Sequence, residues 1–457
     1  MHARAAGDER VYPDLIGKLG SVLTVAVAAA VCMLPGAAQA APISSHAMIH
    51  SCCTPDELAE RVFSESKAMG AAFVRVDIEL SEVFEDVGGG PRARPDWRTV
   101  DRVAERSRRH DLSVLGILLA PPAYLTTCPE RWPNARLCAA ADPAEFGRLA
   151  GEVANRTRDI ITHWEIVNEP DGSWAFEGTA EQYARMLRAA YDGIKARVPG
   201  ATVVMGGVQS PHEPAWLERL LATPGAEALH AFDVANVHLR GPVANVVSRY
   251  GQFRSGLAAR GFNGPVWVTE HGYPADPAYQ GDPAYAAGDS SQAAYLTQSL
   301  VGLGEAGAEQ IFVTLRDNLG GEYASEGLVH IDETAGYPVQ RRPAFSAVRR
   351  LVDSWDQIMT WRADQRRFEE QERVSLVNLA PARVEYKIAL KRFRSARALL
   401  HRLQRRGRGA RAAKLMAETR AALGWRQAFA AMHRAQASLA AFAAADMRAK
   451  VAGDWPG

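Results

Sequence analysis

The sequence has little cysteine and almost no net charge, and two kinds of motif are absent from it. It contains 5 cysteines in 457 residues, and its formal net charge is +1. No glycine-rich phosphate loop opens the first helical pattern, and no nucleic-acid-binding motif is present, which argues against a nucleotide-binding sheet and a nucleic-acid partner. Apolar residues make up 47% of the chain, which is ordinary for a globular protein with a large core.

Long apolar runs are also lacking, except for one at the N-terminus. Arg10 and Lys18 precede an apolar run over residues 19–34, and small residues follow it at 38–40. A positive flank, a short apolar core and small residues occur in this order in secretory signals. The sequence therefore predicts a signal peptide over residues 1–40 and a secreted, extracellular protein. An uncleaved membrane anchor is the alternative, although the run is short for a spanning helix.

Four cysteines lie beyond this segment: Cys52, Cys53, Cys128 and Cys138. An even number in an exported chain predicts disulfides. Cys128 and Cys138 flank a short loop and are the easiest pair, which leaves the adjacent two as a vicinal disulfide or as thiols. Pairing across the two loops stays open, and so does a metal site formed by the adjacent cysteines with His46 and His50.

Extended apolar segments alternate with helical patterns from about residue 42 to about residue 350. The predicted strands cover residues 44–50, 72–79, 113–119, 160–167, 202–207, 233–239, 265–270 and 310–315. The predicted helices cover residues 54–69, 96–110, 142–158, 179–197, 211–221, 243–260, 290–306 and 342–352. Eight strand–helix units predict a parallel sheet closed into a (β/α)8 TIM barrel, with an open doubly wound sheet as the alternative.

The composition changes near residue 355. Residues 355–457 contain 21 Lys and Arg against 9 Asp and Glu, a net charge of +12, whereas residues 1–354 carry 32 against 43, a net charge of −11. Two helical patterns separated by a basic break at 405–411 predict a helical hairpin. Three hypotheses remain for it: a solvated hairpin docked on the acidic barrel, contact with a polyanion or cell surface, or an oligomerisation element. The predicted domains are thus 1–40, 41–354 and 355–457.

Two glutamates end predicted strands, the fourth and the seventh. Glu169 lies in EIVNEP (165–170), where the proline cannot continue a strand, and Glu270 lies in VWVTEHGYP (266–274). Because the C-terminal ends of barrel strands meet at one face, both carboxylates are expected in the same cleft. Cleavage of a glycosidic bond requires such a pair, one to protonate the leaving oxygen and one to attack the anomeric carbon or activate water.

These two motifs resemble those of the clan A glycoside hydrolases, and most of all families 39 and 5, over about residues 42–350. The resemblance implies a retaining glycosidase of β-linked glycosides or polysaccharides that needs no cofactor or metal, with Glu169 as acid/base and Glu270 as nucleophile. It also implies that Asn168 binds the 2-hydroxyl of the sugar, that Arg75 keeps the nucleophile ionised, and that His238 lines the cleft. A structural ion pair is the alternative for the arginine, and a core histidine for His238.

One position departs from the clan's pattern. Clan members commonly carry a tryptophan at the end of strand eight, and here Arg316 or Asp317 is expected at the cleft instead, which favours an unusual or charged sugar. Aromatic residues near strand ends are candidates for stacking on the carbohydrate substrate, with loop packing as the alternative for each. They are Tyr124, Trp174, Phe176 and Tyr273, with Trp132 as a weaker candidate.

Two other functions fit the same residues. A transglycosylase would differ only in passing the sugar to another sugar rather than to water. A sugar-binding or wall-associated barrel without turnover fits the missing tryptophan, but the presence of both glutamates and Asn168 argues against it.

Overall fold

The computed structural model describes residues 41–128, 137–209, 214–276, 288–317, 324–405 and 410–453. The predicted signal segment and Trp132 lie outside these residues. None of the helices in the described ranges is both long enough and apolar enough to cross a bilayer.

Eight parallel strands form the sheet at the centre of the fold. They are β1 (Ile43–His50), β2 (Phe73–Glu79), β3 (Ser113–Leu119), β4 (His163–Ile166), β5 (Thr202–Met205), β6 (Ala235–Leu239), β7 (Val266–His271) and β8 (Ile311–Thr314). Strands that are consecutive in the chain are neighbours, and β8 pairs with β1. Bridges from Val204 to Val234 and from Val208 to Val237 join β5 to β6 and close the ring. The predicted (β/α)8 barrel is confirmed.

Helices surround the barrel. They are α1 (Asp56–Met69), the short α2 (Leu80–Phe84), α3 (Arg98–His110), α4 (Pro143–Arg156), α5 (Ala180–Arg197), α6 (Pro214–Ala222), α7 (Val243–Ala258), α8 (Asp289–Glu305) and α9 (Pro343–Asp353). The sequence did not predict α2, nor the antiparallel ribbon of β9 (Val329–Ile331) and β10 (Val339–Arg341) that follows β8. Elements of three to five residues are too short to show a periodic pattern.

A capping box and a hydrogen bond to β4 determine where α5, the helix that follows β4, begins. The hydroxyl of Thr179 accepts a hydrogen bond from the backbone N–H of Gln182, whose side chain accepts one from the N–H of Thr179, and this capping box starts α5. Tyr183 of α5 donates to the carbonyl of Ile166, at 3.0 Å. The first turn of α5 is therefore tied to the end of β4, three residues before Glu169.

Large side chains fill the N-terminal part of the barrel interior. The ring of Trp267 lies 5.5 Å from that of Phe73 and 6.0 Å from that of Phe312, and His163 stacks on Trp267 at 5.5 Å. Burial lowers the pKa of His163 to about 4, so this imidazole is neutral at neutral pH. The interior is therefore a packed core at this end, and the polar groups of the barrel gather at the C-terminal end of the strands.

Two long helices follow the barrel, α10 (Trp355–Gln404) and α11 (Ala410–Gly453). The first turns of α10 join the barrel, because Trp355 and Ile358 are buried in the same apolar cluster as the barrel helices. Arg362 and Arg366 also pair with Glu305 of α8. The predicted all-α basic extension is confirmed.

Beyond these turns, α10 and α11 pack on each other. The ion pairs from Arg448 to Glu369 and from Arg426 to Glu385 show that the two helices run antiparallel. Small and apolar side chains at spacings of three, four and seven are buried along the seam: Leu379, Ala382, Ala389, Ala396 and Leu400 of α10, and Ala430, Ala437, Ala440 and Ala444 of α11. This is the repeat of a two-stranded coiled coil with small residues at the contact.

Candidate active site

An irregularity in β7 turns Glu270 into the barrel. Val237 of β6 is opposite Val268, but His238 is opposite Glu270, so Thr269 is an extra residue in β7. Side chains alternate along a regular strand, and Trp267 and Thr269 already point inward. The resulting β-bulge re-aims the strand so that Glu270 also faces the interior.

The carboxylate of Glu270 is buried among positive groups. Its Oε1 lies 2.8 Å from Nη1 of Arg75, and its Oε2 lies 3.2 Å from Nη2 of Arg240. Burial raises the pKa of Glu270, but the groups around it, His238 first and then Arg75 and Arg240, outweigh burial and hold the pKa well below 4.5. Glu270 is therefore a carboxylate at neutral pH.

His46 contributes to this site as a neutral ring. Burial lowers its pKa to about 3, so the two guanidinium groups, rather than His46, supply the positive charge beside Glu270. Nη1 of Arg75 lies 3.1 Å from Nδ1 of His46. An arginine can only donate, so Nδ1 is the acceptor and the ring proton is on Nε2, which faces Glu270 Oε1 at 3.6 Å.

Arg75 contacts acids on two strands, Glu270 of β7 and Glu165 of β4. Its Nε and Nη2 donate to the two oxygens of Glu165, at 2.8 and 2.9 Å, in a bidentate pair that is completely buried. Nη2 also donates to Oδ1 of Asn168, at 2.7 Å. Because this oxygen is occupied, the amide of Asn168 has its NH2 group to offer a ligand.

Glu169 follows β4 on a strained stretch of backbone. Val167 and Glu169 have φ angles of 64° and 40°, in the left-handed region that a β-branched residue such as valine rarely adopts. Such strain persists where surrounding contacts fix the chain, and it is concentrated at functional sites. Here the contacts hold the Glu169 carboxylate: Nε1 of Trp174 donates to Oε2 at 2.7 Å, and Nδ1 of His238 lies 2.8 Å from Oε1.

His238 stands between the two glutamates. Its Nδ1 is 2.8 Å from Oε1 of Glu169 and 3.7 Å from Oε1 of Glu270, and one oxygen of each carboxylate lies within 4.8 Å of one of the other. Nε2 of His238 contacts the hydroxyl of Thr269 at 3.0 Å. Gly207 makes room for the ring, since a Cβ there would overlap the imidazole.

Arg240 is itself held by a second buried acid. Its Nε and Nη2 donate to the two oxygens of Glu326, at 2.8 and 3.0 Å, and Thr314 donates to the same carboxylate at 2.9 Å. A Cβ at Gly272 would overlap Glu326. The glycine two residues after the candidate nucleophile therefore lets this carboxylate reach Arg240.

A cavity of about 240 Å³ opens beside Asn168 and Trp174, and neither Glu169 nor Glu270 is among the residues that line it. Its lining comes from the ends of β1 to β4 and from the following loops: His50, Asp77, Glu79, Leu119, Ala120, Pro121, Leu137, Cys138, Val167, Asn168, Trp174, Ala175, Phe176 and Met186. His50 lies 3.3 Å from Asp77 and 3.2 Å from Glu79. Burial, partly offset by His50 and Arg75, raises the pKa of Asp77 to about 6. The part of the cavity wall formed by Asp77 and Glu79 is thus acidic.

The structure brings two of the four candidate aromatics, Trp174 and the buried Phe176, to this cavity. Trp174 is 59% exposed and lines it, whereas Tyr273 is buried with its ring 4.6 Å from that of Tyr295. Tyr124 lies near the charges of Glu145 and Arg148 on the outer helix α4, and its pKa is raised by burial and by Glu145. Tyr273 and Tyr124 are therefore placed as packing and surface residues, which is the alternative that the sequence left open.

Arg316 does not extend into the cavity either. Its Nη2 and Nε donate to the carbonyl of Met48, at 2.8 and 3.2 Å, and its Nη1 pairs with Glu333 at 2.7 Å. Met48 has a φ of 54°, so Arg316 braces an unusual turn of the backbone within β1. Asp317 pairs with Arg342 at the start of α9. The expectation that these side chains replace the absent tryptophan at the cleft is corrected by these bonds.

The four cysteines form two disulfides, Cys52–Cys53 and Cys128–Cys138. The second one borders the cavity through Cys138. The first removes the thiolates that a metal site with His46 and His50 would need. Within the described residues, Glu169, His238 and Glu270 are also close enough together to share an ion, but the guanidinium groups beside Glu270 oppose a cation there.

Four residues of the site had no role in the sequence prediction of its chemistry. They are His46, Glu165, Arg240 and Glu326. Arg240 carries a usable signal, because it directly follows β6 at the end of the barrel where His238 lies. Glu326 carries none, since its partner Arg240 is 86 residues away in the chain.

Several solved structures that are similar in fold to the chain are glycosidases. A glucosidase from Croceicoccus marinus is 16% identical with a TM-score of 0.49, over 64% of this chain and 63% of that one. A family 39 β-xylosidase from Caulobacter crescentus is 17% identical with a TM-score of 0.49, over 70% and 73% of the two chains. The chain thus spans less than two thirds of the glucosidase. No protein-family model and no curated protein matches it. The similar solved structures are glycosidases of clan A, the clan that the two glutamate motifs resemble.

Proposed function

We propose that this protein is a retaining glycoside hydrolase that cleaves O-glycosidic bonds of β-linked glycosides or polysaccharides. The observation that carries the proposal is the facing pair of buried glutamates, Glu169 and Glu270, with an oxygen of each within 4.8 Å of one of the other. Retaining enzymes hold their two carboxyl groups about 5–5.5 Å apart, whereas inverting enzymes need about 6.5–9.5 Å to admit a water between them. The separation here favours direct attack by one carboxylate.

The environments of the two glutamates support different roles for them. Glu270 contacts two guanidinium groups, and its pKa is held well below 4.5, as a nucleophile requires. Glu169 contacts an imidazole and an indole N–H and has no arginine within ion-pair distance among the described residues. We therefore assign Glu270 as the nucleophile and Glu169 as the acid/base.

In the first step, an oxygen of Glu270 forms a bond to the anomeric carbon as the glycosidic C–O bond breaks. Glu169 gives its proton to the departing oxygen, so the leaving group departs as an alcohol. In the second step, Glu169 takes a proton from water, the water oxygen bonds to the anomeric carbon, and the bond to Glu270 breaks. The sugar retains its configuration, and both glutamates return to their starting states.

The neighbouring residues support the two steps in different ways. Arg75 and Arg240 keep Glu270 ionised and orient it, and each is held by a buried acid, Glu165 or Glu326. Asn168 is positioned by Arg75 to donate its NH2 group to the 2-hydroxyl of the sugar, where a hydrogen bond strengthens as positive charge develops at the anomeric carbon. Trp174 supplies an exposed aromatic face beside Glu169.

The lining of the cavity bears on the substrate. Asp77 and Glu79 lie in the wall beside Asn168, and no lysine or arginine lines this cavity in the described part of the chain. Carboxylates there would repel a uronic acid or a sulfated sugar. We therefore propose a neutral or amino-substituted sugar at this position, rather than an anionic one.

We further propose that the protein is exported, with residues 1–40 as signal peptide, 41–354 as catalytic domain and 355–457 as extension. Two disulfides support an oxidising compartment. Mass analysis of the protein recovered from the medium tests this proposal. A mature N-terminus near residue 41 is expected, whereas an intact N-terminus in the membrane fraction would instead support an anchor.

The test of the activity is a covalent trap. The protein is incubated with a panel of 2-deoxy-2-fluoro glycosides and short oligosaccharide analogues, and the intact mass and the modified peptide are determined. A sugar adduct on Glu270 is expected, and the reactive analogue would identify the sugar. An adduct on another residue would overturn the assignment of the nucleophile. No adduct, together with no product from a panel of β-linked polysaccharides, would favour a binding barrel without turnover.

A further inference from the structure

The net positive charge of the C-terminal extension is confined to one half of it. Residues 383–426, which form the tip of the hairpin and are called the distal half below, contain 14 Lys and Arg against 2 Asp and Glu, a net charge of +12. The rest of the extension, residues 355–382 and 427–457, contains seven of each sign. The whole excess charge therefore lies in the half of the hairpin that is remote from the barrel.

The protein itself does not neutralise this charge. The lysines and arginines of α10 beyond residue 382 are all exposed, from Arg383 to Arg402, and so is Arg405, which directly follows the helix. Among the described residues of the distal half, one ion pair is formed, between Arg426 and Glu385. The other half differs, since within the described ranges all of its arginines except Arg434 pair with acids, as Arg373 does with Glu370.

The acidic barrel does not cover the distal half either. In the described part of the chain, the ion pairs and buried apolar contacts that join α10 to the barrel all involve residues 355–366. At a rise of about 1.5 Å per residue, Arg383 lies about 25 Å further along the helix than this junction. The hypothesis of a hairpin docked along the acidic barrel therefore does not hold for the distal half.

Exposed apolar side chains lie between the cations. Val384 and Ile388 are 57% and 49% exposed and alternate with Lys387 and Lys391 along one stripe of α10. Trp425 of α11 is 53% exposed, with the guanidinium of Arg426 4.7 Å from the centre of its ring. Aliphatic side chains and a tryptophan interleaved with cations suit an anionic lipid surface, where the apolar groups enter the headgroup region and the cations meet phosphates. A polysaccharide offers aliphatic side chains no apolar layer to enter.

We infer that the distal half of the hairpin binds the surface of an anionic phospholipid bilayer. The barrel, held at the other end of α10, would then work close to the membrane without entering it. This inference is independent of the glycosidase proposal, because it depends on the charge and exposure of the hairpin alone.

The experiment is vesicle co-sedimentation of the full chain, freed of residues 1–40 if these are not removed by processing. Vesicles of phosphatidylcholine are compared with vesicles of equal parts phosphatidylcholine and phosphatidylglycerol. Binding to the mixed vesicles alone is expected, and it should fall steeply as NaCl is raised, because screening weakens exposed charges. Equal binding to both kinds of vesicle would overturn the electrostatic basis of the inference.

A pair of matched triple variants locates the contact. Replacing Lys387, Lys391 and Arg394 by glutamine should weaken binding to the anionic vesicles about 100-fold, at about 5-fold for each cation near the surface. The control replaces Arg367, Arg373 and Arg434, in the other half, by glutamine. It changes the net charge equally and should bind as the parent protein does, and circular dichroism verifies that both variants keep their helices.

Two results would contradict the inference. Equal weakening by both triple variants would mean that net charge, not the distal half, determines binding. Absence of vesicle binding together with salt-sensitive binding to an acidic polysaccharide, such as polygalacturonate, would identify a carbohydrate partner instead. Replacing Ile388 and Trp425 by serine separates the two partners further, since it should weaken vesicle binding and leave binding to a soluble polyanion unchanged.

Discussion

Thr269 and Glu270 are consecutive residues of one strand, and both of their side chains face the interior of the barrel. The hydroxyl of Thr269 contacts His238, while the carboxylate of Glu270 contacts Arg75. This is the effect of the bulge in β7, without which one of the two would point toward the helices. The contact of the candidate nucleophile with Arg75 and the contact of Thr269 with the imidazole beside Glu169 thus both depend on a single extra residue.

The two glutamates should respond differently to the leaving group. Glu169→Gln removes the proton donor, so hydrolysis of an alkyl glycoside should fall about 10²–10⁴-fold. Formation of the glycosyl-enzyme from a dinitrophenyl glycoside should change little, since that leaving group needs no proton. Glu270→Gln should abolish both reactions. Pre-steady-state release of dinitrophenol measures this difference, and equal losses in the two variants on both substrates would contradict the assigned roles.

Arg240 should help to determine the pH at which kcat/KM falls on the acidic side of its profile. In the proposed mechanism Glu270 acts as the carboxylate, which exists above its lowered pKa and is lost as the pH falls through that value. Arg240→Met removes one of the charges that lower the pKa, so the acid limb of the kcat/KM profile should move up by about one pH unit. Arg240→Lys keeps a charge and should move it less. A profile that is unchanged in Arg240→Met would show that Arg240 does not act through the charge of Glu270.

The lowered pKa of Glu270 also makes the folding stability depend on pH. The pKa of Glu270 in the folded protein lies well below 4.5, the ordinary value for a glutamate. Glu270 therefore contributes stability above about pH 4.5, and this contribution is lost as the pH falls through the folded pKa. Urea unfolding of the parent and of Glu270→Gln as a function of pH measures it. The difference between the two should shrink below about pH 4.

Gly207 should be needed for the position of His238. A methyl group at Gly207 would overlap the imidazole, so Gly207→Ala should displace the ring from Glu169 and lower kcat/KM by about 10–100-fold, as misplacement of a catalytic group does. Gly200→Ala, before the same strand, is the control, because a Cβ there meets nothing within 4 Å. If both variants are fully active, the contact of His238 with Glu169 is not required.

The two disulfides should differ in their contribution to stability. Cys128 and Cys138 are ten residues apart, and their bond restricts the unfolded chain, so replacing both by serine should lower the free energy of unfolding by about 2–3 kcal/mol. Replacing Cys52 and Cys53 by serine should cost much less, because adjacent residues are already joined by the chain. Denaturant titration compares the two double variants. A larger loss from the adjacent pair would mean that a mechanism other than chain entropy dominates.

The barrel was predictable because its signal is repeated eight times. Each strand is a short apolar run bounded by a helical pattern, and no single unit has to be recognised with certainty. The two helices of the hairpin were predictable for the same reason, since apolar residues recur at helical spacing in both segments. Elements of three to five residues, such as α2 and β9, carry no such repetition and were missed.

The site was predictable only in part. The positions of Glu169 and Glu270 follow from the strand ends and the motifs around them, but the bulge that turns Glu270 inward leaves no periodic signal. For Arg316, the position at the end of a strand was predicted correctly, but the predicted direction of the side chain was wrong. Its direction is decided by the carbonyl of Met48, 268 residues away in the chain, which no local pattern reveals.

The aromatic rings packed around Trp267 close the barrel interior at the N-terminal end of the strands, so that it is open only at the C-terminal end. A saccharide that reaches Glu270 must enter and leave by the same mouth, and so must the water of the second step. In the proposed double displacement the departing alcohol therefore has to clear the opening before water can take its place on Glu169. The lifetime of the glycosyl-enzyme would then depend on how quickly the leaving alcohol is released from the barrel opening. The loop that carries Trp174 would in that case influence the turnover rate as well as substrate binding.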